Sequence, residues 1–274
     1  MVDLTEEAVL LRWEGKNEPC LDKPRITQVG HVILGCYGGN STAGAKKNED
    51  AAFILAAQNQ SWTFTSICDA HCSSESASLI VELLHKNTEA ITHCLSQPVG
   101  TAFVKLEQFI LGKLLTPSFQ QACHNVKGET AVLLCAQKDT FLWWLSIGDN
   151  LIYLFHPEFA RLGQFALNQR HFSEWIGYAN SLALDVPCYT RGVTELRKGI
   201  NNIMLLTDGV LEFEGSPFMS STYLYELYQY HSNRHNQVVK EILQTVHDYQ
   251  GRDSATIISF SVDVRAYTGV VPSG

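Results

Sequence analysis

Residues 61–76, SWTFTSICDAHCSSES, join an apolar run to an acid and then to a helix start. Residues 61 to 68 are β-branched, aromatic or aliphatic and are bounded by polar turns, which reads as a strand. Asp69 follows that strand at once. Ser73 or Ser74 can then cap a helix over 74 to 94, in which Leu79, Ile80, Leu83, Leu84, Ala90 and Ile91 recur at helical spacing. A strand thus delivers an aspartate to its tip, with a helix directly behind it.

The same grammar continues in both directions. Upstream, residues 29 to 36 (VGHVILGC) and 51 to 57 (AAFILAA) read as strands. Downstream, a second helix is expected at about 102 to 125, interrupted near Pro117. Residues 130 to 136, 140 to 147 and 150 to 155 read as a meander, with turns at Lys138-Asp139 and Gly148-Asp149. A long, irregular excursion holding Arg161, Arg170 and Arg191 occupies 156 to 198. Strands return at 202 to 207 and 256 to 263, with a helix at 235 to 249 between them. Runs of strands set apart from runs of helices predict an α+β fold of two packed sheets flanked by helices. No repeat, low-complexity tract or linker divides the chain, so one domain over 1–274 is expected.

The bulk numbers set limits. The 274 residues are 45% hydrophobic and 18% charged, enough apolar material for a core. The net charge of −8, without a Lys/Arg run, argues against nucleic acid as a partner. No apolar stretch is long enough to span a membrane. The N-terminus lacks the basic and small-residue features of a signal peptide, so a cytoplasmic protein is expected. Eight cysteines form no CxxC pair and read as buried free thiols. Cys68, His71 and Cys72 lack the spacing of a zinc knuckle.

Acids stand where the apolar runs stop. Glu49 and Asp50 precede AAFIL, Asp69 follows TFTSIC and Asp149 closes FLWWLSIG. Asp208 follows IMLLT, and Asp253 precedes SATIISF. Each alone is an ordinary turn residue. Together, on rigid strand tips, they would repel one another unless cations or protons intervene. Hard oxygen ligands select Mg2+, Mn2+ or Ca2+. Two such ions roughly 3.5–4 Å apart support in-line displacement at phosphorus by a water of lowered pKa, with no protein nucleophile. The sequence accordingly has no Cys-x5-Arg loop, Walker A loop, GxSxG elbow or HExxH pair.

Six segments in this order resemble the protein phosphatase 2C family of metal-dependent phosphatases. KKNEDAAF (46–53) is similar to its Glu-Asp motif and CDAHCSSESA (68–77) to its Asp-Gly-His motif. GETAVLLCA (128–136), LSIGDNLIYLF (145–155), IMLLTDGVLEF (203–213) and GRDSATIISF (251–260) resemble the four that follow. The resemblance implies a four-layer α-β-β-α sandwich with two central antiparallel sheets. It implies hydrolysis of phosphoserine and phosphothreonine in proteins with Mn2+ or Mg2+, two ions and a weaker third. Asp69 would bridge both metals, the carbonyl of Ala70 would add a ligand, and Asp208 and Asp253 would complete the first ion. Glu49 and Asp50 would act through water, Asp149 would help hold the third ion, and His71 would protonate the leaving oxygen. Residues 156–198 would form the family's flap, and a monomer is expected.

Departures from the pattern fall near the substrate. Ala45 stands where many members carry a phosphate-gripping arginine, leaving Lys46 or Lys47 as substitutes. Ala70, Cys72 and Ser73 replace glycines, and Ser254 replaces asparagine. The competing reading is a catalytically weak relative that acts as a binding or regulatory module.

Overall fold

The computed structural model describes residues 2–4 and 8–265. Strands β1 (Val2–Leu4), β2 (Ala8–Glu14), β3 (Arg25–Val29), β4 (Val32–Tyr37), β5 (Ala51–Ala57) and β6 (Trp62–His71) come first. Helices α1 (Glu75–Lys86), α2 (Thr88–Ser96), α3 (Val99–Leu114) and α4 (Pro117–Asn125) follow. Next are β7 (Glu129–Lys138), β8 (Phe141–Ile147), β9 (Leu151–Phe155), the single-turn α5 (Pro157–Ala160), β10 (Ile176–Gly177) and β11 (Thr190–Glu195). The chain closes with β12 (Gly199–Leu206), α6 (Ser221–Tyr230), α7 (His235–Asp248) and β13 (Ala255–Val264).

These strands make two sheets. The first runs β1-β2-β5-β6-β7-β8-β11, with β10 paired to β7, and the second runs β3-β4-β13-β12-β9. Neighbours pair antiparallel throughout. Three apolar layers hold the stack. Ile80, Val81, Leu84 and Leu106 from the helices pack on Phe53, Phe64, Leu134 and Trp143 of the first sheet. Ile54, Ile67 and Leu133 meet Ile203, Leu205 and Ile258 between the sheets. Leu206 and Ile257 of the second sheet meet Val239, Ile242 and Leu243 of α7. The result is the expected α-β-β-α sandwich. It explains the unbroken AAFILAA: Phe53 and Leu55 face the helices while Ala52, Ile54 and Ala56 face the other sheet, so both faces are dry.

Several details differ from the sequence reading. The helix expected over 74–94 breaks at Asn87, whose Nδ2 donates to the Leu83 carbonyl (2.7 Å) and ends α1. Ser73 Oγ accepts from the Glu75 amide (3.2 Å), while Ser74 at the cap makes no such bond. Thr116 caps α4, with Pro117 in its first turn, which separates it from α3. The meander expected over 130–155 is not one sheet. β7 and β8 pair with each other, but β9 pairs with β12, so the chain changes sheets at Gly148-Asp149. β10 and β11 tie the excursion at 156–198 to the first sheet. All eight cysteines are free, but Cys72 is exposed and Cys20 and Cys188 are only partly covered. Among the described residues no helix is long and apolar enough to cross a membrane.

Candidate metal centre

Antiparallel pairing places four acids at one end of the sandwich. The Ala51–Cys68 register sets Asp50, one step beyond, opposite Asp69. In the second sheet, Leu206 pairs with Ile257, so Asp208 leaves β12 where Asp253 enters β13. That approach is close: a Cβ on Gly209 would stand 1.9 Å from the Ser254 carbonyl oxygen, which is why glycine follows Asp208. Two threonines then stitch the sheets together. Thr256 Oγ1 donates to Asp50 Oδ2 at 2.6 Å, and Thr207 Oγ1 reaches the same oxygen at 3.4 Å. The Thr256 amide donates to Thr207 Oγ1 at 2.9 Å, completing a relay. Thr130 Oγ1 donates to the Asp69 carbonyl at 2.9 Å and holds that strand end in place.

The acids feel one another. Asp50, Asp69, Asp149 and Asp208 are buried, and Asp253 stands exposed at the rim. Burial pushes the Asp50 carboxyl well above the usual range, and the charges of Asp253 and Asp208 add to it. Burial does the same to Asp69, reinforced by Asp50, Asp208 and Asp253. Asp208 is pushed up to about 6 by burial and by the Asp149, Asp253 and Glu212 carboxylates, against a hydrogen bond shared with Asp69. Asp50 Oδ1, Asp69 Oδ2, Asp149 Oδ1 and Asp208 Oδ1 are buried without a hydrogen-bond partner. Orphaned buried carboxylate oxygens are costly, and a hard divalent cation is what satisfies several at once. Among the described residues, no three Asp, Glu, His or Cys side chains already surround a single point. A cation would have to draw these oxygens together. Asp50, Asp69 and Asp208 therefore fit a divalent site by donor type, burial and unmet hydrogen bonding, and Asp253 fits it by donor type from the exposed rim.

Asp149 is differently placed. Arg170 Nη2 lies 3.1 Å from Asp149 Oδ2, 3.6 Å from Asp208 Oδ2 and 2.7 Å from Glu212 Oε1. One of the two Asp149 oxygens expected to help hold a third ion is thus engaged by a guanidinium, while Oδ1 is buried without a partner. Neither Arg170 nor Glu212 was singled out as a site residue from the sequence. Glu212 stands four residues beyond Asp208, a spacing that could have flagged it.

The rim holds the remaining candidates. His71 Nδ1 lies 3.6 Å from Asp69 Oδ1, its side chain is 44% exposed, and the Trp175 ring packs against it at 5.1 Å. Trp175 comes from the excursion and has no local motif. Ala70 lies in extended β6, so its methyl is unstrained; the left-handed residue is Cys72, at φ 70°. Lys47 donates to the Cys72 carbonyl (2.9 Å) and pairs with Glu49 (2.8 Å). Lys46 is exposed on the same loop, and Ala45 is buried. The loop does gain an arginine from elsewhere: the Arg252 guanidinium lies beside Gly44, where a Cβ would stand 3.6 Å from Nε. Arg252 and Asp253 border a cleft of about 620 Å3 with Glu212, Phe213 and Tyr249.

No family model matches the sequence, and no curated protein matches it either. Solved structures do resemble the fold. The serine/threonine phosphatase PstP of Mycobacterium tuberculosis superposes with a TM-score of 0.56 at 12% identity, covering 85% of this chain and 98% of that one. A serine/threonine phosphatase of Staphylococcus aureus gives 0.60 at 11% identity, covering 87% and 97%. RsbX, solved in complex with magnesium, gives 0.55 at 14% identity, covering 87% and 100%. The chain thus has the fold of the phosphatase 2C-type serine/threonine phosphatases.

Proposed function

We propose that this chain hydrolyses phosphoserine and phosphothreonine in proteins, using divalent cations held at the ends of its two sheets. The observation that carries the reading is the set of buried, unpartnered oxygens on Asp50, Asp69 and Asp208, contributed by both sheets to one place. Two Mn2+ or Mg2+ ions bound there would supply Lewis acidity and a water of lowered pKa. Asp69 and Asp208 would hold them from inside, Asp253 from the rim, and the Ala70 carbonyl and Glu49 from the flanks. The chain's own work is to fix those groups. Thr207 and Thr256 clamp one oxygen of Asp50 and leave the other free.

His71 stands beside Asp69 and faces solvent, where it would hand a proton to the departing serine or threonine oxygen. Arg252, exposed at the mouth of the cleft and next to Gly44, would supply the phosphate grip that Ala45 does not. Lys47 is committed to Cys72 and Glu49, so Lys46 is the freer of the two lysines for that task. Residues 156–198 would act as a flap within a single domain, Trp175 bringing it against His71. We read the protein as a cytoplasmic monomer.

A second reading has one observation in its favour. Ala45 is buried and uncharged, and Lys47 is already engaged. A weakened phosphate grip suits a module that binds a phosphorylated partner with little turnover. Phosphate release from a phosphoserine peptide, with Mn2+ and with EDTA, separates the two. Metal-dependent release that Asp69→Asn abolishes is the expected result. Mn2+ binding with no release would favour the binding module, and release indifferent to both EDTA and Asp69→Asn would reject the mechanism.

A further inference from the structure

We infer that Arg170 is a resident cation, built into the chain in the place where a third divalent ion would otherwise bind, so that Oδ2 of Asp149, Oδ2 of Asp208 and the Glu212 carboxylate face a guanidinium rather than a third metal, while Asp208 Oδ1 stays available to the inner site. The inference rests on the two-ion reading proposed above and departs from the third ion that the resemblance implied for Asp149.

The geometry is that of an ion with its ligands. A single nitrogen, Nη2, reaches oxygens of all three carboxylates, at 3.1 Å, 3.6 Å and 2.7 Å. Arg170 Nε donates to the Asp149 carbonyl at 3.2 Å, and the guanidinium stacks over the Phe172 ring at 4.6 Å. The side chain is only 14% exposed. It is also aimed by backbone rather than by chance packing. Asn168 Nδ2 donates to the Asn150 carbonyl (2.8 Å) and to Ser146 Oγ (3.0 Å), and Asn168 Oδ1 accepts from the Ile152 amide (3.0 Å). The His171 amide donates to the Gly148 carbonyl at 3.1 Å. Segment 168–171 is thereby pinned along the turn that carries Asp149. Arg170 leaves that segment with little choice of direction.

A guanidinium does not lose its proton at any pH the protein meets, and it does not exchange with solvent. A divalent ion entering here would have to expel a charge tethered by four hydrogen bonds and ion pairs. The same contact selects an oxygen on Asp208: Oδ2 faces Arg170, and Oδ1 is the one left without a partner. Arg170 is thus a positioning residue for the inner site as well as a substitute for an ion. A fixed charge replaces an exchangeable one, so Mn2+ dependence should lack a weak, late-filling component.

Counting bound Mn2+ tests this without reference to turnover. The wild-type chain, Arg170→Lys and Arg170→Met are dialysed against Mn2+ and the bound metal is measured per chain. Wild type is expected to bind no more than two ions, R170K the same number, and R170M one more. Equal counts in wild type and R170M would overturn the inference. Should R170M fail to fold, wild type still decides, since three ions per wild-type chain overturn it outright. A wild-type chain that binds no Mn2+ contradicts the proposed function instead, while an ion gained by R170M would still uphold the assignment of Arg170.

Discussion

Asp50 accepts two threonine hydroxyls on one oxygen, from residues 157 and 206 positions away in sequence. Those bonds decide which oxygen stays available, and they couple the two sheets. Thr256→Val removes the 2.6 Å bond while keeping shape, so equilibrium urea denaturation should read a loss of about 1.5–3 kcal/mol, with weaker Mn2+ binding. Unchanged stability and Mn2+ affinity would remove Thr256 from the account. Asp208 carries a pH signature. Its carboxyl is pushed up to about 6, above the roughly 3.9 of an unfolded chain. The metal-free fold therefore binds that proton better than the unfolded chain does. The associated stability is present below about pH 4 and is lost as pH rises through about 6. His235, pushed down to about 4 by burial, works in the opposite sense, so the informative quantity is a difference. The stability of Asp208→Asn relative to wild type, without metal, should grow from pH 4 to pH 7 by up to about 3 kcal/mol. A flat difference would mean that neither burial nor the neighbouring carboxylates disfavour the charged Asp208. For His71, alanine should cost more turnover with a phosphoserine peptide, whose leaving oxygen needs a proton, than with para-nitrophenyl phosphate. Equal losses would assign His71 a positioning role.

At the scale of elements, close approach sets the helix layers. Gly35 of β4 lies under α7, and a Cβ there would stand 2.3 Å from Val239 Cγ1 and 2.9 Å from Leu243 Cδ1. Gly35→Ala should cost about 1–3 kcal/mol in urea denaturation through overpacking, partly restored by adding Val239→Ala. No loss would mean that α7 shifts freely on the sheet. Legibility follows burial. β5, β6, β7 and β12 could be read because both faces are covered, which leaves continuous apolar runs. β3, RITQV, is an edge strand with only Val29 fully buried, and its polar composition hid it. β2 was concealed by the acidic residues before it, and α6, STYLYELYQY, by tyrosines that favour strands as much as helices. The change of sheet at Gly148-Asp149 was invisible because a turn and a crossover share the same residues.

Across the whole molecule, two sheets packed face to face end together, and their acids meet because those ends coincide. Asp50, Asp69, Asp208 and Asp253 could be picked out in sequence because each lies at or near the end of an apolar strand, Asp69 inside the final stretch of β6 rather than beyond it. Thr207, Thr256, Arg170 and Trp175 could not, because their roles depend on partners far away in the chain. The guanidinium seated on Asp149 was hidden for the same reason, since nothing around that acid announces an arginine 21 residues later. Anomalous diffraction at the manganese edge from a Mn2+-soaked crystal tests the central claim most directly. The account predicts manganese among Asp50, Asp69, Asp208 and Asp253, with Arg170 still seated on Asp149. No manganese at that cluster, in crystals that take up the ion elsewhere, would contradict it.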